Sequence, residues 1–389
     1  MSRFAGKGLR PDQLPPEIGS VLEILAGRGR MPPPGVEWEA WLGVVAHHRA
    51  AAEAGMPIPE AGAMPEAMRD RLLGMVRRAR LRGMTRAAEL VRLAKALEAG
   101  EVDYLAFKGP TLAAMLRTGG LRPSRDLDLL VRPESVERAL ACLEAEDYRP
   151  VYPFDLAKGE IELRHAELHH WVELHWHLGR LFDDFPQDRL DLWGSRTQVD
   201  IAGHPVQSPA LEPLLVYLAW HGTRHLWARL FWVADFAQAM AAPGIDWERV
   251  MELAEATGLE RMVALATVLA RNLLSAPLPA ALARRSRLMS MAERASSALA
   301  RVWTVPPLND REALYGMGGA RYLMWHLGLR RGWRARAVVA AAALRPTHRD
   351  HGVVALPWPL AWLYPAIRLG RILSRPLRRR QARRENADR

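Results

Sequence analysis

A single thiol, Cys142, is present in 389 residues. That excludes an internal disulfide and any multi-cysteine zinc site, and it fits a reducing compartment. An apolar h-region is missing as well. Arg3, Lys7 and Arg10 are followed by no such run before Pro15, so a secretory signal is not expected. The longest stretch without a charge, 353–367, is shorter than the ~20 residues of a spanning helix and is interrupted by Pro357, Pro359 and Pro365. No transmembrane segment is expected, and the cytoplasm is the expected location. Acidic residues are scarce near the C-terminus, where from Arg368 to Arg389 nine arginines face only Glu385 and Asp388. Much of the net charge of +11 therefore belongs to this tail, and the rest of the chain is only mildly basic.

What is present is a globular composition, 49% apolar and 25% charged, in a chain long enough for two or three domains. Apolar residues recur at helical spacing over Trp38 to Ala54 and Met68 to Ala99, with prolines marking the breaks around them. The period then changes. Val102 to Phe107 predicts a strand ending at Gly109-Pro110, and Thr111 to Arg117 a short helix. Leu127 to Val131 predicts a second strand, and Pro133 opens a helix running to about Glu146. Glu160 to Arg164 and Leu168 to Leu178 predict a strand pair. Helical spacing returns over Leu211 to Leu226, Leu230 to Met240, Trp247 to Ala256 with Asp246 as N-cap, and Glu260 to Leu274. Four regions follow from this order: a helical region at 1–100, an α/β core at 101–207, a second helical region at 208–345, and a Pro- and Trp-containing segment with an Arg-rich tail at 346–389.

Two carboxylates, Asp126 and Asp128, stand two residues apart on an otherwise apolar strand, so both project from one face at a spacing suited to a hard divalent cation. A pair of solvated acids at a strand end, matched to Arg122 or Arg125, would give the same pattern. Upstream, Lys108-Gly109-Pro110-Thr111 joins a strand to a helix start, where a lysine and backbone amides suit phosphate oxygens. Downstream, Glu173 shares a strand face with His169, Trp171, His175 and His177; on a strand beside Asp126 and Asp128 it completes a three-acid metal site. His221 and His225 are four residues apart, with Arg229 expected one helical turn further, and with His175 they are expected to line a pocket for the acceptor or the base.

The combination of Lys108-Gly109-Pro110, a helix, Arg122-Pro-Ser-Arg-Asp-Leu-Asp-Leu-Leu-Val131 and Val172-Glu-Leu-His-Trp176 resembles the uncharacterised bacterial nucleotidyltransferase family of the DNA polymerase beta superfamily. The resemblance extends through His221 to Trp227, Trp232 to Asp235 and Asp246-Trp247, covering about Leu22 to Leu274. It implies an α+β fold: a minimal nucleotidyltransferase core, a mixed β-sheet with flanking helices, embedded between N-terminal and C-terminal helical regions. It also implies that Asp126, Asp128 and Glu173 bind two Mg2+ ions, and that Lys108, Gly109, Thr111, Ser124 and Arg125 contact a nucleoside triphosphate. A nucleoside monophosphate would move from the NTP to an acceptor that the sequence does not identify. The sequence departs from the wider superfamily at Pro110, which removes one backbone donor and leaves Thr111 to supply a hydroxyl. Two other readings stay open: a catalytically inactive protein of the same fold that binds RNA or an anionic membrane, and a metal-dependent hydrolase in which His175, His177, His221 and His225 converge. The tryptophans and leucines from Trp358 to Leu373 are expected to pack on the helical region ahead of a solvated tail; the alternative is peripheral docking on an anionic bilayer.

Overall fold

The computed structural model describes residues 8–29, 34–51, 64–116, 122, 124–179, 185–304, 319–346 and 352–372. Helices α1 (Pro16–Leu25) and α2 (Trp38–His47) precede α3 (Glu66–Ala99), a 34-residue helix that starts after Pro65 and stops at Gly100. Its alanines, leucines, arginines and glutamates favour the helix throughout. Strand β1 (Tyr104–Ala106), α4 (Gly109–Met115), β2 (Leu127–Val131), α5 (Val136–Ala145), β3 (Tyr148–Pro150), β4 (Glu160–His165) and β5 (Trp171–His175) follow. They form a five-stranded mixed sheet in the order β1-β2-β5-β4-β3, in which only β2 and β5 run parallel. This α+β architecture, with helical regions on both sides of the sheet in sequence, is the one expected.

A two-stranded hairpin, β6 (Thr197–Ile201) and β7 (His204–Ser208), closes the α/β region. Its turn is Ala202-Gly203, both at positive φ, and the Gly203 amide donates to Asp200 Oδ1 at 3.1 Å. Two left-handed residues in a two-residue loop match the twist of the flanking strands, which is why glycine serves there. The helices α6 (Leu211–Arg224), α7 (Leu230–Met240), α8 (Trp247–Thr257), α9 (Glu260–Leu274) and α10 (Ser286–Ser296) come next, then α11 (Gly319–Leu329) and α12 (Trp333–Leu344). Asp246 caps α8 as expected, accepting from the amides of Glu248 and Arg249 at 3.0 and 3.1 Å.

Burial divides into two cores. One face of the sheet, carrying Leu127, Leu129, Val172 and Leu174, packs on α3 and α5 through Leu90, Leu93, Leu97 and Leu143. The other core joins α1 and α2 to α6–α9 and reaches the sheet through Leu105, Phe107 and Leu130. The early and late helices thus share one interior. Arg10 donates to Asn272 Oδ1 at 2.9 Å, and Leu230 N donates to His48 Nδ1 at 3.1 Å across the same junction. Helix α3 serves both cores, with Leu72 and Val76 in the second and Leu90 to Leu97 in the first, while Leu81 and Met84 between them are exposed.

Three expected elements are shorter or differently placed. The strand expected over Leu168 to Leu178 is confined to Trp171–His175, because residues 166–170 make the turn from β4. His165 Nδ1 accepts from the amides of Glu167 and Leu168, and His169 has φ 53°. The helix expected from Leu211 to Leu226 ends at Arg224. Leu226 and Trp227 take positive φ, and the Trp227 ring folds back over Gly222, where a Cβ would lie 2.6 Å from the indole. Helix α4 starts at Gly109 rather than Thr111, and Arg117 lies outside the described residues.

Candidate active site

The parallel pairing of β2 with β5 sets Asp128 directly opposite Glu173. Side chains on one face of neighbouring strands at matched register lie close together, so the two carboxylates meet. Potential ligand atoms of Asp128, Glu173 and His175 all lie within 4.8 Å of one another. Among the described residues this is the one group of three or more histidine, cysteine or acidic side chains with that geometry. His175 Nε2 is 3.7 Å from Asp128 Oδ1 and 3.5 Å from Glu173 Oε2, and its Nδ1 is 3.6 Å from Glu160 Oε2. Asp128 and His175 are buried, whereas a third of the Glu173 side chain is exposed.

Lys108 enters from the end of β1. Its Nζ is 2.5 Å from Asp128 Oδ1 and lies over the rings of Phe107 and Tyr217 at 5.4 and 5.6 Å. The backbone of Lys108, at φ 65° and ψ −158°, occupies a region that side-chain-bearing residues seldom tolerate, at a cost of ~1–3 kcal/mol. Gly109 follows at φ 47°, and Ser124 Oγ stands where a Cβ on Gly109 would touch it at 3.5 Å. Ser124 Oγ donates to the Asp126 carbonyl, so the lysine-glycine turn and the aspartate segment meet through this serine.

The charges depend on one another. Burial, then the neighbouring charges of Asp128 and Glu173, push the Asp126 carboxyl up to about 6, while Lys108 and Arg49 pull the other way. Burial disfavours the His175 imidazolium, yet the Asp128 and Glu173 carboxylates beside it raise its pKa to about 9. Burial likewise opposes the Lys108 charge, and Asp128 more than offsets it. Each excess of negative charge is thus answered by a buried cation.

The expected site residues divide as follows. Asp128 and Glu173 come together with His175, a residue expected in the acceptor or base pocket. Asp126 precedes β2 and lies outside the group within 4.8 Å, although its carboxyl responds to both acids. Thr111 is 1% exposed, so its hydroxyl faces the interior. Arg125 is exposed and stacks its guanidinium over Trp171 at 5.1 Å. His221 and His225 lie with ring centroids 4.7 Å apart, and His221 is 5.9 Å from Tyr217. Burial and then the Lys108 charge hold the His221 imidazole well below its usual range. Arg229 does not continue that row: past the end of α6 it becomes the residue before α7 and donates to the His47 carbonyl at 2.7 Å. The four histidines of the hydrolase reading do not converge: among the described residues, no three of them offer ligand atoms within 4.8 Å of one another.

Four further residues belong to this neighbourhood. Arg49, at φ 55° after α2, acts on Asp126 and lies over Phe231 at 5.2 Å. Arg86 donates to the Arg125 carbonyl at 2.8 Å, and its charge also reaches Asp126. Arg122 and Asp235 form a buried pair, with Nε 3.0 Å from both carboxylate oxygens and Nη2 2.9 Å from one. That pair ties the approach to β2 onto α7. Periodicity gives no sign of Arg49 or Arg86, whereas Arg122 and Asp235 lie within motifs visible in the sequence.

Among solved structures, the chain is similar to ANT(2")-Ia in complex with adenylyl-2"-tobramycin, at 18% identity over 44% of this chain and 97% of that one, with TM-score 0.32. A solution structure of the antibiotic-resistance factor ANT(2'')-Ia matches at 16% identity, over 52% and 92% of the two chains, with TM-score 0.28. An antigenic nucleotidyltransferase-like protein from Paracoccidioides brasiliensis matches at 19% identity, over 50% and 94%, with TM-score 0.35. No curated protein matches the chain. Residues 34–275, which contain the whole sheet, the carboxylate cluster and α6 to α9, match a family model, and the chain belongs to the uncharacterised nucleotidyltransferase family.

Proposed function

We propose that the protein is a Mg2+-dependent nucleotidyltransferase that moves a nucleoside monophosphate from an NTP to an acceptor hydroxyl or amine. The observation that carries this reading is the meeting of Asp128, Glu173 and His175 within 4.8 Å beside the Lys108 ammonium. Asp128 Oδ1 already accepts a buried cation, the Lys108 ammonium at 2.5 Å, so the position favours positive charge. Two carboxylates suit Mg2+, and the imidazole beside them would suit Mn2+ once it gives up its proton. Asp128 and Glu173, with Asp126 from the segment before β2, are the residues that would hold the metal. Bound there, a divalent ion would polarise phosphate oxygens and offset charge on the transferring group.

The chain's own groups then have distinct tasks. Lys108, fixed in a strained backbone and still cationic when buried, is placed to offset charge on the triphosphate. Glu173, the most exposed acid of the cluster, is placed to accept the proton of the acceptor. The acceptor oxygen or nitrogen attacks the α-phosphorus, the bond from that phosphorus to the bridging oxygen breaks, and pyrophosphate leaves with the electron pair. Tyr217, His221 and His225 offer an aromatic wall beside Lys108 against which a base or acceptor can lie. The donor nucleotide and the acceptor are tested together by incubating the protein with each α-labelled NTP and cell extract. One labelled product that depends on Mg2+ and on Asp128 is expected; label that never leaves the nucleotide pool would refute the reading.

A further inference from the structure

The C-terminal helices carry a surface that the site does not use. Over 319–346 and 352–372 the chain has eight arginines and neither aspartate nor glutamate. Helix α12 is apolar from Ala337 to Leu344, yet none of its residues is buried. Trp333 at its start is 74% exposed. A short 3-10 helix, Trp358–Leu363, presents Trp358 at 90% and Trp362 at 72% exposure, so these tryptophans do not pack on the helical region as expected. The elements form one unit. Arg368 Nε donates to the Ala343 carbonyl at 3.3 Å, and Gly319 is packed so closely on Ile372 that a Cβ there would lie 2.9 Å from its carbonyl oxygen. Tyr364, 5% exposed, donates to the Val354 carbonyl at 3.3 Å, which folds the segment back on itself while leaving the tryptophans outward.

We propose that this face docks on the surface of an anionic lipid bilayer, with Trp333, Trp358 and Trp362 at headgroup depth and the arginines against lipid phosphates. Among the described residues no helix is long and apolar enough to cross a membrane, so the contact lies in the interface plane. Tryptophan is favoured at that depth, where one end of the indole is dry and the other wet. The apolar stretch from Ala337 to Leu344 gains nothing from water, whereas lipid chains accept its alanines and valines. A second copy of the face would bring its exposed arginines, Arg321, Arg334 and Arg336 among them, against the same set with no acid from these segments between them, which disfavours self-association. Nucleic acid would suit the arginines and tryptophans but leave Val338, Val353 and Val354 exposed. Beyond Ile372 the sequence carries seven more arginines. Each basic residue close to an anionic surface strengthens binding about fivefold.

Vesicle flotation with the full chain tests the proposal. The protein is expected to float with phosphatidylcholine vesicles containing about one-third phosphatidylglycerol at low salt, and not with phosphatidylcholine alone. Trp358→Ser with Trp362→Ser, at exposed positions that leave the circular dichroism unchanged, is expected to weaken binding about tenfold or more. Failure of the wild-type chain to float with the anionic vesicles overturns the proposal. So does equal flotation of the double variant. Binding of single-stranded RNA with the same tryptophan dependence and tighter than the vesicles would assign the face to nucleic acid instead. None of these outcomes bears on metal-dependent turnover, which is measured separately.

Discussion

Arg122→Met isolates one buried interaction. In the wild type the guanidinium reaches both oxygens of Asp235 at 3.0 Å from Nε, with side chains 5% and 8% exposed. Removing only the arginine leaves a carboxylate buried without its partner, at a cost of ~3–5 kcal/mol. Burial already pushes the Asp235 carboxyl up despite Arg122, so the pair does not recover its full desolvation cost. Replacing both members, Arg122→Met with Asp235→Leu, is therefore expected to lie within about 2 kcal/mol of the wild type. The sign with pH follows. Asp235 in the single variant has a folded pKa above its unfolded value, so the variant's deficit is smallest below the unfolded pKa and grows as pH rises through the folded one. Urea denaturation of the wild type, both single variants and the double, at neutral and acid pH, gives the coupling energy. Additive effects of the two substitutions, or a single-variant cost below about 1 kcal/mol, would refute the reasoning.

Asp128→Asn and Glu173→Gln are each expected to lower metal-dependent NTP turnover about 100-fold or more, read by pyrophosphate release, with the fold retained by circular dichroism. Lys108→Met is expected to weaken triphosphate binding and to lower kcat together, since its charge faces both ground and transition states; titration with a non-hydrolysable NTP analogue checks the first effect. His48 is buried and accepts from Leu230 N, and burial holds its pKa well below the usual range. A lowered histidine pKa makes stability complete above the unfolded value near 6.5 and lost as pH falls below it, by up to about 1.4 kcal/mol per pH unit. His48→Asn, which keeps an acceptor for Leu230 N, is expected to flatten that slope between about pH 7 and pH 5 in denaturation measurements. His221 contributes with the same sign, so part of the slope remains.

The candidate site is legible where it rests on local pattern. Alternation placed Asp128 and Glu173 on strands, and two acids on adjacent strands at matched register meet without further help. The lysine-glycine turn was legible as a phosphate-binding candidate, but its backbone strain was not, because nothing in a sequence says that a lysine takes a glycine conformation. Strand alternation puts His175 on the Glu173 face without saying how near the two lie, so its place beside the acids is visible only in the structure. Arg229 was misplaced because helical periodicity continues through Leu226 and Trp227, whereas the packing of the Trp227 ring on Gly222 ends the helix first. The common interior of α1 and α2 with α6–α9 joins residues some two hundred positions apart, a pairing that periodicity within either region cannot reveal. The last apolar segment differs from expectation because its composition does not distinguish a buried core from an exposed surface. The Arg-rich tail from Leu373 onward lies outside the described residues.

The central claim concerns which phosphorus is transferred. With the NTP and acceptor identified from extract, two parallel reactions, one labelled at the α-phosphate and one at the γ-phosphate, distinguish the outcomes directly. The account predicts that α-label moves to the acceptor while γ-label appears in pyrophosphate, that both require Mg2+ or Mn2+, and that both are lost in Asp128→Asn. Transfer of γ-label to the acceptor, or release of γ-label as inorganic phosphate with no α-label on the acceptor, would contradict it.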